Sequence, residues 1–204
     1  NNFNVMLVAR SSEKLKVASQ DLISLGGSVL TVAGNVADPK LPSVALDMAL
    51  NKWGRVDVLI NNAGGPPMGS FLVHSDQTWQ DSFEVNLMSV VRWTRTFAPL
   101  MVSSKWGRIL SITSTLGKEP SSEMVISATL RSGVAAFNKA LASELAIHNI
   151  TVNTLCPGGV LTERLYSLIE SKAKKSGDTV EVTIQNSVSS IPMARFAEVE
   201  EIAK

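Results

Sequence analysis

Short apolar runs alternate along this chain with stretches in which apolar residues recur every three or four positions. Residues 5–9 (VMLVA) form a run of the kind buried in a parallel sheet, and Ser11 and Ser12 follow as candidate helix N-caps. Leu15, Ala18, Leu22 and Leu25 then keep helical spacing up to Gly26-Gly27, which suits a left-handed C-terminal cap. A second strand is expected over 28–33, a helix over about 39–51 with Pro near its start and Gly54 after its end, and a third strand over 56–60. That strand opens into NNAGGPP at 61–67, a loop dense in chain breakers.

The second half repeats the alternation with longer helices. Trp79, Phe83, Leu87, Val90, Thr94, Phe97 and Met101 line one side of a helix expected over 76–102, with Pro99 tightening or kinking its last turn. A strand over 108–112 runs into a polar turn. A helix expected over about 121–147, opened by Pro120-Ser121, carries Leu130, Val134, Phe137, Leu141 and Leu145 as a stripe. Residues 150–155 read as a further strand ending at Pro157-Gly158-Gly159, and 161–190 is helical in composition, richer in Ser and Lys, and expected to be a more mobile segment over the sheet. Strands alternating with helices of this length imply right-handed crossovers and one parallel sheet covered on both faces. The expected fold is α/β, a Rossmann-like doubly wound parallel sheet.

Composition narrows the class of partner. The chain has 204 residues, so a single domain (1–204) is expected, and its 45% hydrophobic content suffices for a sizeable core. With 19 basic and 18 acidic residues it lacks the excess positive charge that nucleic acid or an anionic membrane surface requires. No apolar run reaches the roughly 20 residues needed to span a bilayer, and no signal peptide opens the sequence. A lone cysteine, Cys156, fits a reducing compartment, so a soluble cytoplasmic protein is expected. His74 and His148 lack metal-ligand spacing, and no metal site is expected.

Chemistry concentrates between Trp106 and Arg131. Ser114 follows the 108–112 strand, and in open α/β sheets ligands sit outside the carboxyl ends of the strands. Five short motifs then occur in order: Asn61-Asn62-Ala63-Gly64 after a strand, Asn86-Leu87 in the next helix, Gly107-Arg108-Ile109 leading to Ser114-x-x-Gly117, Pro157-Gly158-x-x-x-Thr162, and Ile191-Pro-Met-Ala-Arg-Phe196 followed by Glu198, Glu200 and Glu201. Together they resemble the short-chain dehydrogenase/reductase family, of the 3-oxoacyl-ACP reductase-like type. The resemblance also implies a first strand with a glycine-rich turn before this chain's start and a last strand after its end. The sheet read here therefore lacks a central strand, and the domain is expected to be incomplete at both ends.

The resemblance implies a nicotinamide dinucleotide. Members that prefer NAD carry an acidic residue at the end of the first strand visible here, where this chain has Ala9 followed by Arg10. A guanidinium can pair with a 2′-phosphate and no carboxylate repels it, so NADP(H) is expected over NAD(H). By the same resemblance Asn35 and Val36 lie beside the adenine. Asn61, Asn62, Ala63 and Gly64 pass near its ribose, and Pro157, Gly158, Val160 and Thr162 hold the nicotinamide carboxamide.

The catalytic positions depart from the family. A serine, a tyrosine and a lysine, supported by an asparagine, would reduce a carbonyl. Ser114 and Asn86 match, whereas Ser127 stands at the tyrosine position and Arg131 at the lysine position. A phenol near pKa 10 can be tuned toward neutrality, while an aliphatic hydroxyl lies several units higher, each unit costing about 1.4 kcal/mol. Arg131 can bind ribose hydroxyls and offer positive charge, but it cannot lose a proton. Tyr166, the only tyrosine, lies in the 161–190 segment, read as a substrate lid.

Two functions are consistent with this reading. One is an NADP(H)-dependent oxidoreductase interconverting a carbonyl and an alcohol, on a 3-oxoacyl thioester or a sugar or alcohol. Its proton would come from Ser114, bound water or Tyr166. The other is a catalytically silent dinucleotide-binding protein that reports cofactor state or serves as an assembly subunit. The helices at 76–102 and 121–147 resemble those that pair subunits in the family, implying a homodimer or homotetramer.

Overall fold

A computed structural model describes residues 3–203. They fall into two compact units, residues 1–155 and 156–204, of which the described parts are treated separately. In the first unit, strand β1 (Asn4–Ala9) pairs in parallel with β2 (Ser28–Ala33), and β3 (Val58–Asn61), β4 (Gly107–Ile112) and β5 (Ile150–Leu155) form a second parallel ladder in that order.

Helix α1 (Ser12–Ser24) links β1 to β2 and is capped by Ser11, whose hydroxyl accepts from the Lys14 amide. Helix α2 (Leu41–Trp53) ends at Gly54 in the left-handed region at φ 71°. The core lies on one face of the strands: Val32, Leu59, Ile109 and Val152 meet Ala45 of α2 and Trp93, Phe97 and Met101 from the long helix that follows β3. Trp93 and Phe97 stack with ring centroids 5.7 Å apart. The α/β fold of parallel strands and flanking helices is as expected, with the strands of the described residues divided between two ladders. The two ladders do not pair with each other, and Val58 and Ile60, pointing away from the core on either side of Leu59, are 42% and 58% exposed.

Two long helices also differ from the sequence reading. The 76–102 helix is interrupted: α3 (Asp76–Phe83) passes through a π turn (Glu84–Met88) into α4 (Ser89–Ser104). Pro99 lies inside α4, which continues past it to Ser104. Helix α5 (Val125–Leu145) begins four residues later than the Pro-Ser signal suggests. The reason is that the backbone just before it is used elsewhere: Met124 donates to the Ser121 carbonyl, and the Glu123 carbonyl accepts from the Gly69 amide at 2.8 Å. The expected stripe on α5 is present, with Leu130, Val134 and Leu145 buried.

The second unit is mostly helical. Thr162 caps α6 (Glu163–Ser176) and Thr179 caps α7 (Val180–Val188), each hydroxyl accepting from an amide three residues on. A short parallel bridge joins Val160 to Ala197, ahead of α8 (Val199–Ala203). Arg195 forks onto the Glu201 carboxylate with contacts of 2.7 and 2.8 Å. That pairing and the Glu198 amide hold the Glu201 carboxyl well down, at about 2. No helix among the described residues is long and apolar enough to cross a membrane.

Candidate active site

The carboxyl ends of the strands carry the residues singled out in the sequence. Ala9 and Ala33 are paired partners, and the Gly34 amide donates to the Ala9 carbonyl at 2.9 Å, so Arg10 and Asn35 emerge from adjacent strand ends. Arg10 is exposed. Asn35 folds its own turn: its Oδ1 accepts from the Ala37 amide and its carbonyl from Asp38. The turn is also held from α4, where Trp93 Nε1 donates to the Val36 carbonyl at 3.3 Å and Arg92 Nη1 to the Ala37 carbonyl at 3.1 Å. Nothing in the sequence marked Arg92 or Trp93 for this.

At the end of β3, Asn61 Nδ2 donates to Thr94 Oγ1, which fixes the start of the loop to buried Thr94 on α4. Asn62 and Gly64 remain exposed, and a Cβ built on Gly64 would meet no atom within 4 Å. The backbone there is open to a ligand's approach.

Ser114 sits two residues beyond β4. Its Oγ accepts from the Leu116 amide and starts a 3₁₀ turn over Thr115–Gly117. This turn lies directly on α5: a Cβ on Gly117 would stand 3.2 Å from the Arg131 backbone carbon, and Ser132 Oγ donates to the Gly117 carbonyl at 2.7 Å. The glycine of Ser114-x-x-Gly117 is thus required by the closeness of the helix. Arg131 itself reaches the strand end, its Nη1 donating to the Ile112 carbonyl at 2.7 Å. One turn earlier on α5, Ser127 is only 4% exposed, which leaves a small hydroxyl where a phenol would need space.

Asn86 occupies the middle of the π turn. Such turns inside α-helices are frequent at functional sites, because the extra residue breaks the regular amide ladder. Its Nδ2 donates to the Ser82 carbonyl, while its buried Oδ1 has no hydrogen-bond partner among the described residues. The next residue, Leu87, packs over Gly133 of α5, 3.6 Å from where a Cβ would lie. Asn86, Ser127 and Arg131 therefore stand on two packed elements, and Arg131 joins them to the β4 end that carries Ser114.

Behind this group lies a buried network that sequence reasoning missed. Asn138 Nδ2 donates to Thr154 Oγ1 at 2.8 Å, and Ser111 Oγ donates to Asn138 Oδ1 at 3.4 Å, tying α5 to β4 and β5. Its position on the α5 stripe marks it as buried, yet nothing local identifies its partners.

In the second unit Thr162 is engaged as the α6 cap, and Gly158 is exposed with no atom within 4 Å of a built Cβ. Pro157 and Val160 are half-buried. Tyr166 is 48% exposed at the edge of an apolar hollow with Ile184, Val188 and Phe196.

A parallel α/β scaffold with these groups at its strand ends defines a class, and the family comparison agrees. Residues 1–173 match the sequence model of the short chain dehydrogenase family, and the chain belongs to that family of oxidoreductases, of the 3-oxoacyl-ACP reductase-like type. Among its relatives is a 3-oxoacyl-[acyl-carrier-protein] reductase of Synechocystis, 31% identical over 98% of this chain and 75% of that protein. Another is the NADPH-dependent reductase BacG of Bacillus subtilis, 27% identical over 99% of this chain and 79% of the relative. The crystal structure of the actinorhodin polyketide ketoreductase with NADPH superposes with a TM-score of 0.93 at 31% identity, covering 98% of this chain and 77% of that one.

Proposed function

We propose that this protein is an NADP(H)-dependent reductase that interconverts a carbonyl and an alcohol, on a 3-oxoacyl thioester or a sugar or alcohol substrate. The observation that carries the reading is Asn86, held in a π turn with its buried Oδ1 unbonded and packed on the helix of Ser127 and Arg131. A buried acceptor left open costs about 1–3 kcal/mol, a cost retained where a water or ligand is to be held.

The residues present fit a dinucleotide. Arg10 is exposed beside Ala9, with no carboxylate at that strand end to repel a 2′-phosphate, and Gly64 offers open backbone. In this reading Arg10 binds the 2′-phosphate, Asn35 and Val36 flank the adenine, and Asn62, Ala63 and Gly64 pass the ribose. Pro157, Gly158, Val160 and Thr162 hold the carboxamide. The bound cofactor supplies the hydride. Ser114 Oγ–H donates to the substrate carbonyl, Asn86 Oδ1 accepts from a water that relays the proton, and Arg131 stabilises the negative charge that develops on oxygen. NADPH-dependent relatives support the cofactor choice. Assembly as a homodimer or homotetramer through α4 and α5, in the cytoplasm, belongs to the same reading.

A second reading, a catalytically silent dinucleotide-binding subunit, is favoured by one observation: a buried Ser127 hydroxyl, a far weaker acid than a phenol, stands at the phenol's position. Fluorescence titration with NADPH and NADH tests both. Tight NADPH binding, reversed in preference by Arg10→Glu, supports the dinucleotide site, and turnover on 3-oxoacyl thioesters or sugars then separates the reductase from the silent subunit. Failure of both nucleotides to bind overturns both readings.

A further inference from the structure

The Glu84–Arg92 ion pair spans the π turn that holds Asn86. Arg92 Nη1 lies 2.6 Å from Glu84 Oε2, and the two side chains are 32% (Glu84) and 17% (Arg92) exposed. On a uniform α-helix, residues eight apart differ by about 80° in direction, at the edges of one face. One residue inserted by the π turn makes eight behave like seven, about 20° from two full turns, and the side chains fall on one face. The π turn therefore brings the two side chains closer to one line, and the pair in return clamps the turn, with Asn86 between its two ends.

The same nitrogen, Arg92 Nη1, also donates to the Ala37 carbonyl at 3.1 Å, and the neighbouring Trp93 Nε1 donates to the Val36 carbonyl at 3.3 Å. Both donors come from the first turns of α4 and both acceptors belong to the Asn35 turn. The opposite side of that turn is closed by Asn35 itself, through the bond from the Ala37 amide to Oδ1. Removing Arg92 would leave a carbonyl of this turn without its charged donor and would leave Glu84 with the neutral bond that Gln80 Nε2 donates to its Oε1 at 3.3 Å.

From this arrangement we infer that Arg92 is a positioning residue that couples the Asn35–Ala37 turn to the Asn86 π turn, so that the adenine side and the reacting side of the site are set by one cation. The inference rests on the dinucleotide reading above. It also specifies which change is tolerated. Because one nitrogen makes both bonds, a lysine ammonium can take over both, whereas an apolar side chain of similar length can make neither.

The test compares wild type with Arg92→Met, Arg92→Lys and Glu84→Gln, using NADPH, NADH, adenosine 2′,5′-bisphosphate and reduced nicotinamide mononucleotide as probes. Arg92→Met is expected to weaken NADPH and adenosine 2′,5′-bisphosphate each by about tenfold, equivalent to a lost charged hydrogen bond. It should also weaken the mononucleotide, because the π turn loses its clamp with the same cation, and leave the NADPH-to-NADH ratio unchanged, since Arg10 is untouched; Arg92→Lys should restore most of both losses. Amide hydrogen exchange without nucleotide gives an independent readout: Glu84→Gln should raise exchange at residues 84–88 and also at 35–38. Weakening confined to one half-ligand, no weakening, or exchange that rises only at 84–88 overturns the coupling. A wild-type chain that binds neither nucleotide overturns the cofactor reading and this inference with it. Normal wild-type binding with Arg92→Met unchanged overturns the inference alone.

Discussion

The Arg131 guanidinium donates to the carbonyl of Ile112 at 2.7 Å, so the cation of α5 is anchored to the last residue of β4, two positions before Ser114. A lysine at this position would bring one point-like ammonium instead of a planar fork, keeping a donor for Ile112 but not the guanidinium's remaining donors. The arginine is thus part of how the Ser114 turn is held, as well as a charge beside it.

Restoring the family's tyrosine and lysine is therefore not a simple repair. Ser127→Tyr adds a ring at a position only 4% exposed, and overpacking of this kind costs about 1–3 kcal/mol. Arg131→Lys keeps one donor for Ile112 but loses the planar fork and its other donors. The double variant is expected to unfold at lower urea concentration than wild type and to lose turnover, measured on the same preparations. A large gain in turnover would instead favour the silent-subunit reading.

Asn138 is 2% exposed and bonds Thr154 and Ser111. Asn138→Leu keeps the volume but leaves these hydroxyls without their amide partner, a loss of about 1–3 kcal/mol. Urea unfolding of the variant measures it. Because the network lies directly behind the Ser114 turn, nucleotide affinity should fall less than turnover does.

Ala194 adopts φ 52°, in the left-handed region, where a Cβ costs about 1–2 kcal/mol. Glycine removes that cost and adds about 0.5–1 kcal/mol of backbone entropy to the unfolded chain. Ala194→Gly is therefore expected to stabilise the protein by about 0.5–1 kcal/mol, read as a higher urea midpoint with unchanged slope.

The Arg195–Glu201 pair makes a prediction in acid. Pairing lowers the Glu201 pKa from 4.5 to about 2, so its contribution to stability is fully present above pH 4.5 and disappears as pH falls toward 2. Glu201→Gln should be less stable than wild type at pH 6, and the difference should close across that window. Because both side chains are well exposed, added salt should shrink the difference at pH 6 as well. Urea titrations at pH 6, 4 and 2.5, with and without salt, follow both effects.

Much of the fold was legible because it rests on local chemistry. The period of apolar residues placed all five strands and the longer helices, and hydroxyls and glycines marked several of their ends, as Ser11 and Gly54 do. The motif residues were legible as well, since strand-ending turns need particular residue types. The substitutions at Ser127 and Arg131 can be read from sequence by register alone. What the sequence could not carry was the use of one segment's backbone by another. The late start of α5 follows from the tie between Glu123 and Gly69. The π turn at Asn86 changes helical phase, which brings Glu84 and Arg92, eight residues apart, closer to one line where they pair. The bonds from Arg131 to Ile112, from Arg92 to Ala37 and from Asn138 to Thr154 join residues 16 to 55 positions apart. Local propensity therefore determined which elements exist and which chemical groups stand at their ends. Only the packing of those elements decided which groups share a hydrogen bond, because a bond between distant residues depends on helix phase and depth that no local pattern records.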